Sequence, residues 1–317
     1  MQRSGVDMSL QTATPLAGPL PYLLGPPPYA CTELREWKGI SFWMVPTDER
    51  LVNIHNGGSA PTAPLENLEG MVHYWKNHPD WMNLLDPDSP VHRDKMLERE
   101  IYIDLWSPYI SERSTVLDVG GGVGRLTQWL LQQHCEVQVV DPDLRSLWHL
   151  VSHAAGGSGH LDVHWSTAEK MPSLGSFDAV VACEVLNYVE DPSLVVQKIF
   201  DSLKSGGLLL LSVEARWGWA LANDVAQGSL SAFLHSGVVH VPHDRWIRTY
   251  TKEGLKELLS PFTLLNIQPS HYTLSGPFEN IVGRPDKSTL LSLEHQLRMH
   301  PVANRLNRAW TVVAQKP

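Results

Sequence analysis

Beyond position 110 the chain alternates between two periodicities. Thr115–Val119, Val137–Val140, Leu161–Trp165, Phe177–Ala182 and Leu208–Val213 are short, almost continuous apolar runs. Such runs fit strands buried on both faces. Between them lie Arg125–Gln133, Leu144–His153 and Leu194–Leu203, whose apolar residues recur at helical spacing. Gly156–Gly159 marks a turn, and Gly206-Gly207 is expected to cap the third of these helices. Thr251 is the expected N-cap of a helix running to Leu259, and Phe262–Gln268 reads as the sixth strand. A helix from Thr289 to about Asn307 precedes a closing strand, Trp310–Ala314. The fold class that follows is α/β: a Rossmann-like, doubly wound, mostly parallel seven-stranded sheet with helices on both faces.

The first part of the chain reads differently. Residues 1–65 are rich in Pro, Gly, Thr and Ser, and Gly25-Pro26-Pro27-Pro28-Tyr29 excludes helix or central strand. Ile40–Val45 and Arg50–Ile54 are expected to pair as a hairpin. In residues 66–110, Met71, Tyr74, Trp75, Met96, Ile101 and Leu105 recur at helix-compatible spacing, and Pro79, Pro87 and Pro90 break the region into short helices. Three parts follow: an extension over 1–65, a helical lid or substrate-binding segment over 66–110, and a cofactor-binding domain over 111–317.

Composition narrows the picture. The 317 residues are 43% hydrophobic and 19% charged, an ordinary balance for a chain that buries a real core. The net charge of -9 argues against a nucleic-acid substrate, which needs a basic surface. Cys31, Cys135 and Cys183 form neither a disulfide framework nor a C-x-x-C zinc pair. No basic start leads into an apolar core at the N-terminus, and no apolar run is long enough to span a bilayer, so the expected compartment is the cytoplasm. Twelve tryptophans, among them Trp37, Trp43, Trp75, Trp81 and Trp106, are read either as core packing or as an aromatic substrate pocket.

The strongest motif is Val116-Leu117-Asp118-Val119-Gly120-Gly121-Gly122-Val123-Gly124-Arg125. Glycines directly after a first strand let a ligand approach the backbone at the start of the next helix. Asp141 ends the second strand, where an acid accepts both ribose hydroxyls. Three ligands compete for such a loop. A P-loop needs Lys and then Ser or Thr after the last glycine, and here Arg125-Leu126 follows Gly124. A dinucleotide fingerprint starting at Gly120 would need its third glycine where Arg125 stands. Asp118 would also oppose a pyrophosphate, whereas it attracts the ammonium and sulfonium of S-adenosylmethionine (AdoMet). The loop chemistry selects AdoMet.

With these residues the chain resembles the class I AdoMet-dependent methyltransferases, in particular the branch acting on small metabolites. Asp118, Gly120, Gly122 and Gly124 match the family's first motif, and Asp141 its ribose-binding acid. Ser166-Thr167-Ala168-Glu169-Lys170-Met171-Pro172 is similar to its loop beside the adenine, with Thr167 where the family often carries Asp. Phe177 to Pro192 is similar to its fourth strand and following loop, with Asn187 where His is common. Leu203-Lys204-Ser205-Gly206-Gly207 and Arg248-Thr249-Tyr250-Thr251 are similar to its turn before strand five and to a late segment. The resemblance implies a cofactor site of Asp118, Gly120, Gly122, Gly124, Asp141, Pro142, Thr167, Ala168, Glu169 and Cys183.

Methyl transfer is an in-line displacement, so the chain must align the reactants, and needs a base only when the nucleophile arrives protonated. His235, His240, His243, Asp244 and Arg245 form the richest polar cluster, with Trp217, Trp219 and Trp246 near in sequence. His240 or His243 is the expected general base, with Asp244 able to raise a histidine pKa; the alternative is a solvated loop. A metal on His240-x-x-His243-Asp244 lacks a helical pair and a fixed further ligand, so no metal is assigned. Tyr74, Trp75, Glu184, Trp217 and His235 are the expected acceptor contacts. The reading is a methyltransferase for an oxygen or nitrogen of a small molecule, without nucleic-acid or membrane partners and compatible with a homodimer. Its rivals are a peptide or protein methyltransferase and a non-catalytic AdoMet-binding protein.

Overall fold

A computed structural model describes residues 34–37, 40–43, 84–143, 146–147, 149–151, 159–222, 230–240 and 246–317. Seven strands form the body of the sheet in the order β5 (His160–Trp165), β4 (Glu136–Asp141), β3 (Thr115–Val119), β6 (Phe177–Cys183), β7 (Leu203–Glu214), β11 (Ala309–Gln315) and β10 (Thr263–Ser270). β11 runs antiparallel between β7 and β10, and the other neighbours are parallel. The expected doubly wound sheet is therefore present with all its strands. Beyond β5 it continues into β2 (Ile40–Trp43) and β1 (Leu34–Trp37). The strand expected at 40–45 thus forms, but its hairpin partner is the upstream Leu34–Trp37. Arg50–Ile54 lies outside the described residues.

The pleat sends alternate residues to two cores. On one face Val116, Val137, Val139, Ala179, Val181, Leu210 and Val313 pack with Ile101, Tyr102, Leu105 and Trp106 of α1 (His92–Trp106) and with Leu130 of α2 (Thr127–Gln132). Leu290 of α8 (Lys287–Met299) closes that layer. On the other face Leu117, Val140, Val180, Leu209 and Leu211 pack against Val195 and Ile199 of α3 (Pro192–Ser202) and Leu255 of α6 (Lys252–Leu258). Each fully buried Val or Leu side chain contributes about 1.5–3 kcal/mol. Trp106, Trp129, Trp165 and Trp219 are buried, so the core accounts for many of the described tryptophans.

Helix starts follow local chemistry. Asp191 caps α3 by accepting the Leu194 N–H, and Thr251 caps α6 by accepting the Gly254 N–H, the cap expected there. Gly206-Gly207 does not cap α3 as expected. The helix ends at Ser202, the chain enters β7 at once, and the glycines lie in a bulge between the pairs Phe177–Leu203 and Ala179–Leu208. A side chain at Gly207 would press on the Lys204 and Phe177 carbonyls at 2.9 and 3.1 Å. The late helix also ends earlier than expected, at Met299, followed by a short 3₁₀ turn at Ala303–Arg305. After β7 come α4 (Arg216–Ala222), α5 (Leu230–Ser236) and a separate ribbon of β8 (Val238–His240) and β9 (Trp246–Arg248). α7 (Glu279–Val282) precedes α8. Among the described residues no helix is long and apolar enough to cross a membrane.

Candidate functional site

The glycine loop leaves β3 at the carboxyl edge of the sheet. Gly120, Gly122 and Gly124 all hold positive φ, at 70°, 55° and 92°. A side chain on Gly120 would strike Val185 and one on Gly124 would strike Leu150, so these two glycines serve packing. A side chain on Gly122 would meet nothing within 4 Å and would project into open space. Asp141, at the end of β4, closes the loop from the other side. Its Oδ2 accepts the Gly122 N–H and its Oδ1 the Asp143 N–H, both at 2.8 Å. Burial, with a smaller push from the like charge of Asp143, raises its carboxyl to about 7. Asp118 lies beneath the loop, where its Oδ2 accepts the Thr127 hydroxyl at 2.6 Å. Burial raises this carboxyl to about 7 as well.

The neighbouring loop contributes shape. The Pro142 carbonyl accepts the Trp165 indole N–H at 2.9 Å. Thr167 Oγ1 accepts the Lys170 N–H, Ala168 is buried, and Glu169 accepts the Glu190 N–H. The loop after β5 is thereby tied to the loop after β6. The Cys183 thiol ends β6, accepts from the Ser212 hydroxyl, and is pushed up to about 12 by burial.

Beside Cys183 stands a buried cluster of charges. Glu184 has φ 60°, unusual for a side chain of this length, and its N–H is held by the carbonyl and hydroxyl of Ser212. Its Oε1 accepts the Tyr102 hydroxyl at 2.7 Å and Arg308 Nη2 at 3.2 Å. The same Nη2 donates to Glu214 Oε1 at 2.7 Å. Glu98 lies 3.7 Å from Arg308 and 3.2 Å from Arg125, and also takes Lys95 and the Ser275 hydroxyl. Arg125 sits over the Tyr102 ring, and His271 packs against that ring at 4.3 Å. Burial works against ionisation of Glu184, but Arg308 and Arg125 outweigh it and hold the carboxyl below its usual range. Glu214, deeper in the sheet, is raised instead, because burial exceeds the pull of Arg308. Burial holds His271 neutral, with its pKa lowered to about 3.

Sequence reasoning found Glu184 but not Glu98, Tyr102, Arg125, Glu214, His271 or Arg308. Topology unites them. Glu214 ends β7, His271 follows β10, and Arg308 precedes the antiparallel β11, so all three meet at the carboxyl edge. A carboxylate terminating the apolar run before Glu214 was the available signal. Other expected residues lie apart from this cluster. Trp217 is 52% exposed and meets Phe233 edge-on, and His235 is exposed at the end of α5. The His240 backbone pairs with Trp246 in the β8–β9 ribbon. Tyr74, Trp75 and His243 lie outside the described residues. Among the described residues no His, Cys, Asp and Glu grouping has the geometry to hold a metal.

The loop fits AdoMet. Open space lies above Gly122, and each Asp141 oxygen that receives one backbone N–H keeps lone-pair capacity for a ribose hydroxyl. A family model described as a methyltransferase domain matches residues 92–266. A ubiquinone biosynthesis O-methyltransferase of Xanthomonas axonopodis pv. citri is 30% identical over 170 residues, covering 50% of this chain and 67% of that protein. Its counterpart from Nitrosomonas europaea is 29% identical over 163 residues, covering 50% and 65%. The match thus spans about two thirds of these relatives' length. A Pyrococcus horikoshii protein of known structure superimposes with a TM-score of 0.54 at 16% identity, over 77% of this chain and 99% of its own. The magnesium protoporphyrin IX methyltransferase of Synechocystis, with S-adenosylhomocysteine bound, gives 0.51 at 12% identity, over 79% and 100%. These two likenesses bear on the fold. With the family model spanning more than half of the chain, and the glycine loop and Asp141 in place, this protein belongs to the methyltransferase domain family, as a class I AdoMet-dependent methyltransferase.

Proposed function

We propose that the chain transfers the methyl group of AdoMet to an oxygen or nitrogen of a small molecule. The observation that carries this reading is Glu184. Its backbone is held at an unusual angle, its carboxylate is kept ionised, and its side chain is 21% exposed, against 3% for Glu98 and 2% for Glu214. A fixed carboxylate at the ligand edge recognises a hydrogen-bond donor on an acceptor. AdoMet, when bound, supplies a methyl group already activated by its sulfonium. The chain's own residues orient the acceptor, exclude water and receive the departing proton. His240 and His243 are the sequence candidates for that proton, and Glu184 and Glu214 are carboxylates at the same edge as the glycine loop.

The relatives named ubiquinone biosynthesis O-methyltransferases support a small, hydroxylated acceptor. The net charge of -9 supports a small molecule over a nucleic acid. Free thiols at Cys135 and Cys183 fit a reducing cytoplasm. The test is incubation of the purified chain with methyl-labelled AdoMet and a panel of hydroxylated and aminated small molecules. Label should reach a panel member as S-adenosylhomocysteine forms. Label carried only by added peptides would contradict the reading.

A further inference from the structure

Arg125 follows directly on Gly124, at the end of the glycine loop. Its guanidinium turns towards the end of β6. Nη1 donates to Glu98 at 3.2 Å, and Nη2 lies 3.8 Å from the Cys183 thiol. A thiol sulfur is a weak acceptor. Among the described residues no oxygen accepts from Nη2, and the side chain is 17% exposed. The other cations of the cluster are placed differently. Arg308 Nη2 is shared by Glu184 and Glu214, its Nη1 is sealed from solvent, and Lys95 lies on Glu98. Arg125 is thus the cation that joins the loop and keeps a donor in reach of a ligand.

We propose that Arg125 Nη2 receives the α-carboxylate of AdoMet and so reads the amino-acid end of the cofactor. This rests on the glycine loop and Asp141 holding the nucleoside end. Strand order supplies the direction. β3 lies between β4, which ends in Asp141, and β6, which ends in Cys183. Neighbouring strands are about 4.8 Å apart, so the ends of β4 and β6 are roughly 10 Å from each other. Ribose hydroxyls taken by Asp141 leave C5′ on the far side of the sugar ring. The chain from C5′ through sulfur to the amino acid then runs over the loop towards β6, where Arg125 stands.

The charges suit this arrival. A guanidinium is always ionised and presents a planar set of donors that matches a carboxylate. Lys95, Arg125 and Arg308 meet Glu98 and Glu184, while burial raises Glu214 to about 7. Near neutrality the cluster is therefore short of a full third anion, and the cofactor's carboxylate supplies one.

The test is calorimetric titration of the full chain with S-adenosylhomocysteine and with S-adenosyl-3-thiopropylamine, which keeps the ammonium and lacks the carboxylate. The wild type should prefer S-adenosylhomocysteine by at least about tenfold. Arg125→Met should lose that factor and bind the amine as the wild type does, so that the preference disappears. Arg125→Lys, which returns the charge without the planar fork, should recover part of it. A crystal of the wild type with S-adenosylhomocysteine should place the carboxylate within hydrogen-bond distance of Arg125 Nη2. That crystal decides the matter even when the variants do not fold. Equal binding of the two ligands by the wild type, a preference that survives in Arg125→Met, or a carboxylate seated away from Arg125 overturns the proposal. A wild-type chain that binds neither ligand overturns the cofactor reading beneath it instead.

Discussion

Gly122 and Gly124 lie two positions apart, yet a side chain at each meets a different world. At Gly124 it combines φ 92° with a clash against Leu150, whereas at Gly122 it carries only the cost of φ 55°. Gly124→Ala should therefore lose roughly 2–4 kcal/mol in denaturant unfolding, and Gly122→Ala about 1–2 kcal/mol. Equal losses would contradict the packing role given to Gly124. Asp141 carries a pH signature. Because burial raises its carboxyl to about 7, the free protein holds that proton part of the time near neutrality. Ribose hydroxyls donate hydrogen bonds and so favour the ionised form. S-adenosylhomocysteine should bind more tightly as pH rises through about 7, with proton release, and Asp141→Asn should weaken that dependence. The neighbouring Asp143 and Asp118 carboxyls raise Asp141 further and remain in the variant. For stability the sign reverses: a folded pKa above the unfolded value stabilises at low pH, and this contribution fades as pH climbs from about 4 to about 7. A flat binding profile in the wild type would count against Asp141 as a ligand group. At this scale the loop and Asp141 were legible because neighbouring positions encode them. Arg308 and Glu98 were not, since no local pattern links residues so far apart in the chain.

Elements are joined at the site by one side chain. Arg308, just ahead of β11, reaches Glu98 on α1, Glu184 after β6 and Glu214 at the end of β7. Removing it leaves two buried carboxylates, Glu98 and Glu214, and the partly exposed Glu184 without their shared cation. Arg308→Met should cost about 3–5 kcal/mol by chemical denaturation, and a loss under about 1 kcal/mol would show that the elements do not depend on this contact. Strands and helices were legible from periodicity, because buried parallel strands and amphipathic helices leave distinct patterns. Gly206-Gly207 misled because a glycine pair after a helix suits a cap and a strand bulge equally well, and only the pairing of Phe177 with Leu203 decides between them. The hairpin was misplaced for a similar reason: Leu34–Trp37 has no clean alternation to mark it as the partner of Ile40–Trp43.

For the whole molecule, the order of the strands explains where the chemistry sits. β3 pairs with β4 on one side and β6 on the other, so the winding reverses there and opens a crevice at the carboxyl ends. The glycine loop, Asp141, Glu184 and Glu214 all end up at that edge, although they come from four different strands. The loop after β3 is therefore the element expected to hold the cofactor. Calorimetric titration of S-adenosylhomocysteine into the wild-type chain and into Gly122→Ala, first shown to be native by circular dichroism, tests this most directly. One-to-one binding to the wild type and a loss of at least about tenfold in the variant are expected, because the added methyl group enters the ligand's space. A wild-type chain that does not bind, or a variant that binds as tightly as the wild type, would contradict it.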